Sequence, residues 1–409
     1  MENFESLFPN DLALATDLYE LTMAAAYFEN KEDANATFEL FVRNYPNNRS
    51  YLIAAGLEQA VEYLKRLRFR DEHIKYIKKN PNFKHVGRDF FRYLKKLRFT
   101  GDVWALPEGT VFFTNEPVLR VSAPIIEAQI VETYLLSVIN FQTLIATKAS
   151  RVVQSARGRG VVEFGARRAH GPEAGLLAAR ASYIGGCIGT SYVLAGYKFG
   201  IPTYGTMAHS FVMNYDSELE AFERFCRVFR SNPAILLDTY DTIEGAKKAV
   251  SLKVAPSLVR LDSGDRYELS VKVRKILDDA GLNGTKIFVS GDLNEFVIDD
   301  LTSRGAPIDA FGVGTELVTS RDDPALQGIY KIVATTRKGK TTYHVKTSEG
   351  KRTIPGAKQI YRTYSQTREI QEDIITLEDE KGPKGSEPLL KKILDHGRLV
   401  YTLPGLKPD

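Results

Sequence analysis

The chain has 409 residues, with 55 lysines and arginines against 51 aspartates and glutamates, a formal charge of +4. At roughly 150 residues per domain it holds two or three domains. With 43% hydrophobic, 11% aromatic and 26% charged residues its composition excludes wholesale disorder, and the near balance of charge argues against a dedicated nucleic-acid binder.

The opening stretch carries Glu2, Glu5, Asp11 and Asp17 and no basic residue, whereas a secretory signal needs a positive region before an apolar core. A cytoplasmic protein is expected. Cys187 and Cys226 are too few for a disulfide framework or a closed four-thiolate zinc site, so both are expected to be reduced core thiols and no zinc is expected. The charge-free run 181–197 is broken by Gly185, Gly186, Gly189 and Gly196 and by Ser182, Thr190 and Ser191, short of a membrane-spanning helix.

In chain order, Leu18, Leu21, Thr22, Ala25 and Tyr27 recur at helical spacing and predict a helix over 17–28, followed by a strand at 36–42. Residues 56–68, 71–79 and 86–96 read as amphipathic helices, and 101–106, 110–113 and 118–121 as short strands. Residues 1–124 therefore read as an α+β domain. From 125 to 148 only Glu127 and Glu132 are charged before the closing Lys148, the pattern of a helix buried on most faces, and the boundary is set there.

Beyond it, β-prone runs at 161–165, 202–205, 235–238, 258–262, 287–290 and 310–312 end in small, hydroxyl or acidic residues. Helical stretches at 219–228, 242–252 and 269–280 lie between them. That alternation is the βαβ rhythm of a parallel sheet or an α/β barrel spanning 125–328, with chemistry at the strands' C-terminal ends. From 329 to 409 the chain returns to short β-like runs at 330–335 and 341–346, and the charged stretch 372–384 reads as a solvated loop.

Three successive strand ends suit phosphate and sugar. Arg260-Leu261-Asp262-Ser263-Gly264-Asp265 joins a cation, carboxylates, a hydroxyl and a glycine, and Ser290-Gly291-Asp292 and Gly312-Val313-Gly314-Thr315 add glycine-opened turns. Such glycines let backbone N–H groups approach a phosphate, and a helix starting at Thr315 adds its dipole. Aspartates there suit ribose hydroxyls or Mg²⁺. His209 follows the strand-like 202–205, and Asp238, ending the next strand, is placed to orient its ring. Phe164-Gly165-Ala166-Arg167-Arg168 offers an aromatic face and two guanidiniums to a planar anion. The basic residues between Lys65 and Arg98 alternate with apolar ones at helical spacing and read as a solvated helix face.

These segments resemble the nicotinate phosphoribosyltransferase family. The likeness is carried by Asp17-Leu18-Tyr19-Glu20-Leu21-Thr22-Met23, Glu163-Phe164-Gly165-Ala166-Arg167-Arg168, Gly189-Thr190-Ser191, Gly205-Thr206-Met207-Ala208-His209-Ser210-Phe211, Leu237-Asp238-Thr239-Tyr240-Asp241 and the three strand-end turns. The resemblance implies a type II phosphoribosyltransferase: an irregular α/β, TIM-like barrel with a discontinuous α/β sandwich domain, to which 329–409 returns. It implies a homodimer with shared active sites, no nucleic-acid or membrane partner, and the joining of nicotinate to phosphoribosyl pyrophosphate. ATP hydrolysis would be coupled through phosphorylated His209, beside Asp238, with Mg²⁺ required. Phe164 and the partner subunit's Tyr19 would sandwich the pyridine ring, with Thr190 and Ser191 near its substituent. Arg167 and Arg260 would meet the anions. Asp262, Ser263 and Asp292 would serve ribose, with Asp262 and Asp292 also at the metal, and Gly291, Gly312, Gly314 and Thr315 would serve the 5′-phosphate. The neutral Thr190-Ser191 pair favours the acid; a nicotinamide phosphoribosyltransferase is the alternative.

Overall fold

A computed structural model describes residues 10–346 and 353–406; residues 1–9, part of the acidic opening stretch, fall outside it. The chain runs through α1 (Leu18–Glu29), β1 (Asn35–Val42), β2 (Leu52–Ile53), α2 (Leu57–Arg66), α3 (Asp71–Lys79), α4 (Arg88–Lys96), β3 (Asp102–Ala105), β4 (Val111–Phe112), β5 (Pro117–Pro124), α5 (Ile125–Ile130) and α6 (Glu132–Ser155). It continues through β6 (Gly160–Glu163), α7 (Pro172–Ile184), β7 (Gly189–Thr190), α8 (Val193–Phe199), α9 (His209–Met213), α10 (Glu218–Val228), β8 (Ala234–Leu236) and α11 (Thr242–Val250). Next come β9 (Leu258–Leu261), α12 (Arg266–Asp279), β10 (Lys286–Val289), α13 (Glu295–Ser303), β11 (Ala310–Val313) and α14 (Thr315–Val318). The last elements are β12 (Gly328–Arg337), β13 (Lys340–Tyr343), β14 (Lys358–Tyr364), β15 (Ile370–Leu377), β16 (Glu387–Pro388), β17 (Lys391–Asp395) and β18 (Arg398–Leu399).

Two compact units divide the chain, one of residues 1–144 and 325–405, the other of residues 145–324 and 406–409. The division falls inside α6 and not at Pro124. Leu135, Ile139 and Leu144 on the helix's first half belong to the first unit's core, and Ala149 and Val152 on its second half to the other. The apolar run 125–147 is also two helices, interrupted at Val131. The interruption is held from α1 and the residues just before it: Glu20 accepts the Thr133 N–H at 3.0 Å, capping α6, and the Thr16 hydroxyl donates to the Ile130 carbonyl at 3.1 Å.

In the first unit an antiparallel sheet runs β13-β12-β1-β5-β3-β17-β18. Its apolar face packs side chains such as Leu40, Val121, Ile393 and Phe38, whose ring stacks on Tyr330 at 4.8 Å. The charged stretch after residue 370 is not wholly a loop, because residues 370–377 form β15 against β14. Asp373 is drawn in by Arg362, whose Nη2 lies 2.5 Å from Asp373 Oδ2, both side chains being buried.

The second unit is a six-stranded half-barrel sheet, β7-β6-β11-β10-β9-β8, in which every pairing is parallel. Continuous apolar runs such as Ile287-Phe288-Val289 form its strands because helices cover them, and their residues are buried. The predicted strand at 202–205 is absent. Thr203 makes a single bridge to Thr190, and Pro202, Thr203, Tyr204 and Gly205 are exposed, so the segment is a loop feeding α9.

Candidate active site

The C-terminal ends of β6, β9, β10 and β11 converge on a cavity of about 250 Å³ in the second unit. Its wall includes Phe164, Arg167 and Arg168 after β6, Arg260 on β9 and Asp262 just after it, Ser290, Gly291 and Asp292 after β10, and Gly312 on β11 with Gly314 and Thr315 after it. Parallel strands deliver this convergence because each ends on the same edge of the sheet. Nine of the expected site residues meet here: Phe164, Arg167, Arg260, Asp262, Gly291, Asp292, Gly312, Gly314 and Thr315.

Arg260 organises the wall. Its Nε donates to Ser290 Oγ at 2.8 Å, Nη1 to Thr206 Oγ1 at 3.2 Å and Nη2 to Asp262 Oδ1 at 2.5 Å, and its guanidinium carbon lies 5.7 Å from the Phe164 ring centre. The Ser290 hydroxyl donates to the same Asp262 oxygen at 2.5 Å. Burial alone would raise the Asp262 carboxyl, yet the Ser290 hydroxyl, the Arg260 charge and nearby His209 hold it below its ordinary value, so it is an anion. The backbone is equally specialised. Gly291 has φ +84°, and a Cβ there would overlap the Asp262 carbonyl oxygen; Arg266 Nη2 donates to the Gly291 carbonyl at 2.5 Å.

His209 opens α9 with its side chain partly exposed, Nε2 lying 3.9 Å from Asp262 Oδ2 and Nδ1 3.2 Å from Thr239 Oγ1. This corrects the expected partner. Asp238 does not orient the ring; its Oδ2 accepts the Asp262 N–H at 2.9 Å and the Ser263 hydroxyl at 2.6 Å, so it braces the β9 turn. Ser263 is thereby committed to Asp238 and is not on the cavity wall.

Thr190 is also not free to meet a ligand. It is fully buried, its hydroxyl donates to Glu163 Oε2 at 2.6 Å, and it accepts the Tyr192 N–H at 3.0 Å. Ser191 is half-buried beside it, its N–H donating to the Glu163 carbonyl at 2.8 Å. Tyr19 belongs to the first unit, on α1, and is 47% exposed. Four further residues shape the site: Thr206, Thr239, Arg266 and Glu163. Arg266 opens α12 directly after Asp265, which accepts the Glu268 N–H at 2.9 Å and starts the helix beside the turn. Cys187 and Cys226 are both buried, and burial pushes the Cys187 thiol well up.

The family model of the nicotinate phosphoribosyltransferase N-terminal domain matches residues 14–140, and that of the quinolinate phosphoribosyl transferase C-terminal domain matches residues 145–322. A nicotinate phosphoribosyltransferase of Mycobacterium tuberculosis is 47% identical over 398 residues, covering 95% of this chain and 83% of the relative. The chain belongs to the nicotinate phosphoribosyltransferase family. A Bacillus subtilis nicotinate phosphoribosyltransferase is 42% identical over 91% of this chain and 77% of its own length. Among solved structures, human nicotinic acid phosphoribosyltransferase aligns with TM-score 0.83 at 28% identity, covering 96% of this chain and 91% of that one. The Pyrococcus furiosus nicotinate-nucleotide pyrophosphorylase aligns with TM-score 0.80 at 26% identity over 99% and 95%. The half-barrel with its strand-end cavity is thus the type II fold of a nicotinate phosphoribosyltransferase. Among the described residues, no helix of this family member is long and apolar enough to cross a membrane.

Proposed function

We propose that this enzyme condenses nicotinate with phosphoribosyl pyrophosphate to nicotinate mononucleotide and pyrophosphate, in NAD salvage, with ATP hydrolysis coupled through His209. The observation that carries the reading is one cavity wall joining the Phe164 face, the guanidiniums of Arg167, Arg168 and Arg260, the Asp262 carboxylate and two glycine-bearing turns. That wall suits a planar anion at one end and a phosphorylated sugar at the other.

The pyridine ring would lie on Phe164, with Arg167 meeting its carboxylate. The 5′-phosphate would take backbone N–H groups around Gly312, Gly314 and Thr315, and Asp262 and Asp292 would receive ribose hydroxyls. In the reaction the C1′–O bond to pyrophosphate breaks with its electron pair leaving on oxygen, and the ring nitrogen forms the new bond to C1′. The ribose passes through an oxocarbenium-like state, so the protein's task is to hold the nitrogen in line and to stabilise the departing charge.

Asp262 and Asp292 fit Mg²⁺. Both carboxylates lie on the cavity wall, and Asp292 makes no hydrogen bond or ion pair among the described residues. Mg²⁺ is commonly held by one or two carboxylates together with substrate phosphate oxygens. Bound there, it supplies neutralisation of the pyrophosphate charge. His209, close to Asp262 and turned toward Thr239, would take the phosphoryl group of ATP and release ADP. Tyr19, exposed on the first unit, would complete the ring site of a second copy in a homodimer.

The test is a single assay with phosphoribosyl pyrophosphate and Mg²⁺, given nicotinate or nicotinamide, with and without ATP, following ADP and mononucleotide together. The reading expects efficient use of nicotinate, poor use of nicotinamide and faster turnover with ATP. Comparable efficiency on both bases would overturn the acid assignment. A fully active monomer in sedimentation would overturn the shared site.

A further inference from the structure

Arg266, the first residue of α12, is half-buried and forms no ion pair among the described residues. Its guanidinium is turned instead to two successive main-chain carbonyls of the turn after β10. Nε donates to the Ser290 carbonyl at 3.3 Å and Nη2 to the Gly291 carbonyl at 2.5 Å. Gly291 and Asp292 line the cavity and Arg266 does not, so the guanidinium stands behind the wall that these two residues present.

In an extended chain successive carbonyls alternate from side to side. Here two in a row converge on one group, because Gly291 at φ +84° turns the second peptide plane in the left-handed sense. Across each trans peptide unit the N–H points opposite to the carbonyl. With the Ser290 and Gly291 carbonyls held by Arg266, the N–H groups of Gly291 and Asp292 are both turned away from it. Neither donates to a protein acceptor among the described residues. Two adjacent main-chain donors without a protein partner suit an oxyanion, and a guanidinium at their carbonyl ends polarises both peptide units in the sense that strengthens them.

We propose that Arg266 is a positioning residue that aims the Gly291 and Asp292 N–H groups into the cavity, as a two-donor cradle for phosphate oxygens of phosphoribosyl pyrophosphate. It touches no substrate itself and acts only through the turn. The proposal rests on the reading that this cavity takes that substrate. Without the guanidinium the two carbonyls lose the group that draws them back, the peptide planes rotate, and the donors no longer point together.

The test is steady-state kinetics of the full chain with nicotinate, phosphoribosyl pyrophosphate, Mg²⁺ and ATP. Arg266→Met should raise KM for phosphoribosyl pyrophosphate about tenfold, the order of one hydrogen bond to a charged ligand, and leave KM for nicotinate within about twofold. Arg266→Lys keeps the charge and a donor for one carbonyl, and should bring KM back to within about threefold of wild type. Combined with Gly291→Ala, which disturbs the same turn, Arg266→Met should add no more than about twofold to the larger single effect. If Arg266→Met does not fold, Arg266→Gln removes the charge, keeps one donor group and is read by the same two KM values. A merely structural role would lower the melting temperature and the active fraction and move neither KM. An unchanged KM for phosphoribosyl pyrophosphate, an equal rise in both KM values, a lysine variant no better than the methionine one, or effects that multiply in the double variant overturns the proposal. Failure of the wild type to use phosphoribosyl pyrophosphate would instead overturn the underlying reading.

Discussion

Gly291→Ala should damage both stability and substrate binding, and the structure sets the size of the effect. The residue sits at φ +84°, where an L side chain costs about 1–2 kcal/mol. The added Cβ would overlap the Asp262 carbonyl oxygen, so the turn must move. Movement breaks the 2.5 Å bond from Arg266 Nη2 to the Gly291 carbonyl, a charge-assisted bond worth about 1.5–3 kcal/mol. The sum is roughly 2–4 kcal/mol after partial relaxation, enough to lower a melting temperature by about 5–10 °C. The same shift displaces Asp262 and Asp292, so KM for phosphoribosyl pyrophosphate should rise about tenfold or more. Gly284 is the control, since its φ is ordinary and nothing lies within 4 Å of a Cβ, and Gly284→Ala should be neutral. Steady-state kinetics and thermal denaturation of both variants decide the matter. Wild-type KM and melting temperature in Gly291→Ala would refute this account of the turn.

Burial raises the Glu20 carboxyl to about 7, against hydrogen bonds from Thr16 and Thr133 that favour its charged form. A raised acid stabilises the fold below its ordinary value near 4.5 and loses that contribution as pH climbs through 7, so Glu20→Gln should gain stability relative to wild type between pH 5 and 8, by up to about 2–3 kcal/mol. Denaturant midpoints of both proteins across that range test it, and a difference that does not change with pH would refute it. Lys148 Nζ lies 2.6 Å from Glu295 Oε2 and 2.9 Å from Asp322 Oδ1, with Lys148 and Glu295 both buried. Lys148→Met should therefore cost about 3–5 kcal/mol, and adding Glu295→Gln should recover part of it; a cost below 1 kcal/mol by denaturant titration would contradict the pairing.

Much of the second unit was legible in the sequence for a simple reason. Strands covered on both faces leave continuous apolar runs, and at 258–261, 286–289 and 310–313 those runs end in the glycines and acids that line the cavity. Legibility failed where tertiary partners decide. Residues 202–205 look β-prone but gain no ladder beyond the Thr203 bridge. Residues 370–377 look too charged for a strand until Arg362 takes up Asp373. The composition shift at Pro124 marks the start of a buried helix pair, while the units part within α6 because its two halves serve different cores. In the site, residue types were readable but pairings were not. Asp238 and Thr239 are neighbours at one strand end, and only the geometry assigns the histidine to Thr239 and the β9 turn to Asp238. Thr190 likewise reads as a ligand hydroxyl until its partner Glu163 is seen.

His209 is the proposed carrier of the phosphoryl group that couples ATP hydrolysis to nucleotide formation. The direct measurement is ADP release together with acid-labile phosphate on the protein, for the wild type and for His209→Asn, in the presence of nicotinate, phosphoribosyl pyrophosphate and Mg²⁺. The account predicts that the variant loses both ATP hydrolysis and the label, yet keeps slow, ATP-independent formation of mononucleotide, because Phe164, Arg260 and the glycine turns remain. A His209→Asn protein that hydrolyses ATP at the wild-type rate and acquires the same label would contradict it.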